Sequence, residues 1–159
     1  MTTTRLLLPF TGNINSLALN YAVQLAEQRQ ATLVPLALVR VKALQPVRVD
    51  FIQQAQDFLE LTRRKAERCG VPVEQARIYT GDVVLSIEAL AGEMNCETVI
   101  LCLSHRRELL LERGEIRELL ERAACNAHVV LLLSRRERNY PPHFPQFKRA
   151  NHAAQAALI

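Results

Sequence analysis

Five short apolar runs alternate with four amphipathic patterns along this chain, and that alternation constrains the fold more than any other feature. The runs are Leu6–Phe10, Thr32–Val39, Ala76–Tyr79, Thr98–Leu103 and His128–Leu133. Most are apolar at nearly every position rather than at every second one, the pattern of strands covered on both faces. Between them the apolar residues recur at helical spacing. Asn15–Arg29 brings Ala18, Ala22, Leu25 and Ala26 to one side, and Asp50–Cys69 does the same with Phe51, Ala55, Phe58, Leu59, Thr62 and Ala66. Asp82–Asn95 groups Val84, Ile87, Ala91 and Met94, and Glu115–Ala124 groups Ile116, Leu119, Leu120 and Ala123. Strict β-α alternation predicts an α/β fold, a three-layer α/β/α sandwich whose parallel sheet has right-handed crossovers and helices on both faces.

Charge separates the chain into two parts. From Ser134 to Ile159 there are five basic residues (Arg135, Arg136, Arg138, Lys148, Arg149) and one acid, Glu137. That segment carries the whole formal charge of +4 and leaves residues 1–133 neutral, so charge gives no support to nucleic-acid binding by the globular part. The domain is therefore expected over 1–133, followed over 134–159 by a basic, Pro-containing extension docked on its own domain or on a partner subunit. Asn151–Ile159 is Ala-rich and reads as a short helix. No long apolar stretch marks a signal peptide or a membrane span. Cys69, Cys96, Cys102 and Cys125 form no CxxC pair and lie at no zinc-ligand spacing from a histidine. They read as free thiols in a reducing compartment, which makes a cytoplasmic location the expectation and a metal site unexpected.

Residues at both ends of the domain carry a resemblance. Arg5-Leu-Leu-Leu-Pro9-Phe-Thr-Gly12-Asn-Ile-Asn-Ser16 is similar to the first strand and loop of the universal stress protein family. Gly81-Asp82 before a helix, Glu97-Thr-Val-Ile-Leu101, a basic loop and the closing Val129–Leu133 strand resemble the same family further along. The resemblance implies five strands in the order 3-2-1-4-5, and a homodimer paired through the last strand at Val129, Val130, Leu131, Leu132 and Leu133. Two departures stand out. The acid that the family usually carries after the first strand is Thr11 here. The family's ATP-binding pattern G-x2-G-x9-G-[ST] is reduced to Gly114 within Cys102–Ile116, with no Ser or Thr after it. Glycines in such a loop admit backbone N–H groups to a polyphosphate. Side chains at Cys102 and His105 obstruct that approach, so the usual ATP cradle is expected to be lost.

In an open α/β sheet, ligands gather outside the carboxyl ends of the strands where the strand order reverses. That rule selects Phe10, Thr11, Gly12, Val39, Arg40, Leu103, Ser104, His105, Arg106, Arg107 and Gly114 as candidate ligand-binding residues. Arg106, Arg107 and His105 offer bidentate or charge-assisted contacts to a phosphate. Because charge runs usually face water, the favoured reading is a solvated loop in which Arg106, Arg107 and Arg113 balance Glu108, Glu112 and Glu115. Ser16 and Asp82 read as helix-start residues, and no nucleophile–base set or paired carboxylates emerge. The expected function is that of a non-enzymatic, homodimeric stress-response or regulatory protein. A nucleotide is its candidate ligand and no cofactor is assigned. The alternatives are a sensor of AMP or of a cyclic mono- or dinucleotide through the Arg-rich loop, and an interaction module for a transporter or kinase system through the basic tail.

Overall fold

The computed structural model describes residues 3–10, 12, 14–103, 113–123, 128–133 and 154–158. In chain order these form β1 (Arg5–Pro9), α1 (Ser16–Gln28), β2 (Thr32–Arg40), α2 (Val49–Arg68), β3 (Ala76–Thr80), α3 (Val83–Glu93), β4 (Cys96–Leu103), α4 (Arg113–Ala123), β5 (His128–Leu133) and β6 (Ala154–Leu158). One sheet contains every strand, in the order β3-β2-β1-β4-β5-β6, and every pairing is parallel.

The two-residue side-chain period of the strands divides the core into two halves. Leu6, Leu8 and Phe10 of the first segment, with Leu33, Ala37 and Val39 of β2 and Ile100 of β4, pack against Ala18, Leu19 and Ala22 of α1 and Ala55, Phe58 and Leu59 of α2. Leu7, Val34, Leu36, Leu38, Val99 and Leu101 pack on the opposite face against Val83, Val84 and Ile87 of α3 and Ile116 and Leu119 of α4. Removing one such leucine from water contributes about 1.5–3 kcal/mol. Continuous apolar runs in β1, β2 and β4 follow directly from this double coverage.

The helix boundaries have local causes. Asn15, rather than Ser16, caps α1: its side chain accepts from the Leu17 N–H at 2.9 Å and the Ala18 N–H at 3.2 Å. Asp82 caps α3 by accepting from the Leu85 N–H at 3.0 Å. Three helices are left through a left-handed residue, Gln30 after α1 (φ 52°), Gly70 after α2 (φ 68°) and Asn95 after α3 (φ 51°). Only the second of these is the glycine that this conformation favours. Phe51, expected on the buried face of α2, lies 45 % exposed beneath the Arg48 guanidinium, 4.8 Å from its ring centre.

An α/β fold with a parallel sheet is as expected, but the count of five strands is corrected to six. Ala154–Leu158, within the stretch read as a short helix, is instead β6, in register with β5 from Val129↔Ala154 to Leu133↔Leu158. A nine-residue Ala-rich segment is too short to hold itself as a helix in water. The unpaired backbone groups of a strand edge give it partners when extended. With β6 in place, Val129, Val130, Leu131, Leu132 and Leu133 do not form the outer edge of the sheet at which dimer pairing was expected. β5 is flanked by β4 on one side and β6 on the other.

Candidate functional site

The strand order reverses at β1, which has β2 on one side and β4 on the other, so the switch-point mouth lies beyond Pro9, Arg40 and Leu103. Arg40 is its polar centre. It is the last residue of β2 and continues the Val34, Leu36, Leu38 row, so it falls on the α3/α4 side of the sheet. Its Nη2 donates to both carboxylate oxygens of Glu115, at 2.8 and 2.9 Å. Glu115 is in the first turn of α4, where a negative charge also suits the positive end of the helix dipole. Both side chains are about three-quarters buried, at 25 % and 21 % exposure. The pair thus joins the end of β2 to the start of α4 across the opening. A guanidinium that holds a carboxylate in this way has the geometry to hold a phosphate instead.

Around it the walls are fixed by local structure. Gly12 has φ 96°, a conformation for which glycine is strongly favoured, directly beyond β1. Val41 extends the β2 ladder through its N–H to the Thr80 carbonyl at 2.8 Å. A Cβ on Gly81 would lie 3.4 Å from the Val41 carbonyl oxygen, a close van der Waals contact in the same turn. Asp82 N–H donates to Thr80 Oγ1 at 3.0 Å, and Ser86 Oγ lies 2.8 Å from the same hydroxyl. The segment between β2 and α2 carries Leu44 at φ 62° with its side chain in solvent.

The sequence candidates separate into groups. Phe10 and Val39 are core residues, 4 % and 6 % exposed, and the Phe10 ring packs on Phe58 with centroids 5.2 Å apart. Leu103 ends β4. Gly12 and Arg40 sit at the mouth. Gly114 is an exposed residue at the start of α4, without a left-handed φ, and a Cβ there would meet no described atom within 4 Å. Among the described residues nothing in its surroundings demands a glycine. Thr11, Ser104, His105, Arg106 and Arg107 lie outside the described residues. Glu115 was missed as a mouth residue. The sequence offered it only as a local counter-charge, and its partner lies 75 positions away. Ser16 Oγ, in the first turn of α1, accepts from Lys65 Nζ at 3.2 Å, a structural tie between α1 and α2. Among the described residues no group of three His, Cys, Asp or Glu side chains is placed to hold a metal ion, and no helix is long and apolar enough to cross a membrane.

The opposite, amino ends of the strands are closed by side chains. Arg5 donates to Glu74 Oε1 at 3.2–3.3 Å and to the Met94 carbonyl at 3.4 Å. Arg29 donates to the fully buried Thr98 hydroxyl at 3.0 Å. Burial pushes the Cys96 thiol up to about 11, partly offset by the nearby Arg5.

Comparison with known proteins agrees with this architecture. A universal stress protein from Burkholderia pseudomallei superposes with a TM-score of 0.63 at 20 % identity, over 82 % of this chain and 96 % of that one. A universal stress protein from Archaeoglobus fulgidus gives 0.64 at 15 % identity, over 82 % and 94 %. The universal stress protein from Archaeoglobus fulgidus in complex with dAMP gives 0.57 at 11 % identity, over 84 % and 98 %. At these identities the likeness concerns the fold. No curated protein sequence matches the chain. The model of the Universal stress protein family matches residues 3–131, and the chain belongs to that family.

Proposed function

We propose that this chain is a non-enzymatic regulatory member of its family that senses a nucleotide bearing a single phosphate group, AMP or a cyclic nucleotide, in the mouth between β1, β2 and α4. The carrying observation is Arg40, a largely buried guanidinium at the mouth that donates to a carboxylate from the start of α4. One phosphate exchanging with that carboxylate matches one guanidinium. A triphosphate needs a run of bare backbone amides. Gly114, the only remnant of the family's glycine pattern in the sequence, sits in a helix, and among the described residues nothing there requires a glycine. Similar structures include one in complex with dAMP and one in complex with cAMP, which favours a monophosphate or cyclic ligand here.

Isothermal titration calorimetry with AMP, cyclic AMP and ATP tests this reading. AMP or cyclic AMP binds more tightly than ATP, and Arg40→Ala weakens that binding about 10- to 100-fold, the loss of a charge-assisted contact. Glu115→Gln, which removes the competing negative charge, strengthens it. ATP bound most tightly, with no response to either variant, contradicts the proposal.

A further inference from the structure

Exposed apolar side chains are not spread evenly over the described surface. Of the seven large ones, Val41, Leu44, Val49 and Phe51 lie together, in the segment that joins β2 to α2 and in the first turn of that helix. Every residue from Val41 to Asp50 is exposed except Val47.

Two causes hold these residues out. A turn over Lys42–Gln45 is closed by the Gln45 N–H donating to the Lys42 carbonyl at 3.2 Å, and it sets Leu44 at its third position with φ 62°. That position calls for glycine or asparagine, so a leucine held there is strained as well as fully in solvent. The second cause is length. Phe51 continues the buried stripe of α2 through Ala55 and Phe58, but Phe58 already packs on Phe10 just past the end of β1. Val49 lies nine residues before Phe58, about 14 Å along the helix, so α2 begins beyond the core that its stripe would cover. Val47 and Ile52 pack against that core and anchor the projection.

The projection is also one-sided in charge. From Val41 to Val49 the charged residues are both cations, Lys42 and Arg48. The next acid, Asp50, is paired with Arg48 at 2.9 Å, and the same guanidinium lies over the Phe51 ring. An anchored convex projection with apolar tips between cations suits a soft partner that can close around it. At a bilayer surface the apolar side chains enter the acyl boundary while the cations stay with the headgroup phosphates. Residues 1–133 are neutral overall, so no net repulsion from an anionic surface opposes this.

We propose that the projection over 41–51 is a peripheral docking surface for anionic lipid. This inference is independent of the nucleotide reading.

Flotation of the full-length protein with vesicles of phosphatidylcholine, alone or mixed with an equal share of phosphatidylglycerol, tests it. The chain floats with the mixed vesicles and not with phosphatidylcholine alone. Leu44→Ser combined with Phe51→Ser lowers the partition coefficient about 10-fold or more, with native circular dichroism. Lys42→Gln lowers it less. Leu44→Gly separates docking from folding, because it relieves the left-handed backbone and raises the melting temperature while it weakens flotation. The chain has no tryptophan, so Leu44→Trp supplies a single fluorescent probe. Its emission shifts to the blue on the mixed vesicles, whereas that of Glu93→Trp, at the far end of α3, does not move. A natural chain that floats with neither vesicle or equally with both, flotation that the Leu44 and Phe51 variants leave intact, or an equal blue shift at positions 44 and 93 would each overturn the proposal.

Discussion

The amino and carboxyl ends of the strands are made of the same residue types and put to different use. At the amino ends, helices finish in left-handed turns at Gln30, Gly70 and Asn95, and the arginines reach inward to partners that complete the structure: Arg5 to Glu74 and the Met94 carbonyl, Arg29 to Thr98. At the carboxyl ends, helices begin, with caps at Asn15 and Asp82, and Arg40 is held by the Glu115 carboxylate, the contact with which the proposed ligand's anion would exchange. Neither arginine content nor the chemistry of the partner distinguishes the two ends, since Arg5 meets a carboxylate as Arg40 does. Position does: of the three arginines, only Arg40 lies at the carboxyl-end switch point where the proposed ligand would enter.

The largest effect expected is the one that ignores this contrast. Leu36 is fully buried in the middle of β2, and Leu36→Ala costs about 2–5 kcal/mol in urea unfolding. A loss confined to ligand binding, with stability retained, would mean the two ends do not share one core. Next comes the amino end alone. Thr98→Val keeps the shape but removes the acceptor for Arg29, and lowers stability by about 1 kcal/mol without changing nucleotide affinity. A change in affinity would break the division of labour. Smaller again is Gln30→Gly, which relieves a left-handed φ and raises stability by about 0.5–1 kcal/mol, with binding again unchanged. The last effect is absent at neutral pH and is seen only in alkali. The Cys96 thiol holds its proton up to about 11 in the folded chain against an ordinary 9.0, so the folded state binds that proton more tightly than the unfolded state does. Its contribution is complete below pH 9.0 and is lost as pH rises towards about 11. Cys96→Ala shows a shallower decline across that window, and in the natural chain exposed Cys69 alkylates well before Cys96.

How far the sequence could be read varies along the chain. The β-α order was legible because doubly covered strands must be apolar throughout and helices on a sheet must be amphipathic. Asp82 was legible as a cap for the same local reason. Phe10 and Val39 were placed in the cleft by their position at strand ends, but an apolar side chain at a strand end turns into the core, and both did. The Arg40–Glu115 pair was hidden because crossovers bring distant residues together without leaving a local pattern. β6 was hidden because alanine signals helix by propensity, and the pull of an uncovered strand edge is a tertiary effect. The Arg-rich loop at 104–107 lies outside the described residues.

The most direct test of the mouth as the receptor is an amide NMR titration of the labelled protein with AMP. The account predicts shifts that cluster at Gly12, Val41, Glu115 and Ile116, and silence at Glu74, Met94 and Thr98. Saturable shifts at the amino ends, with Gly12 and Glu115 unmoved, would contradict it.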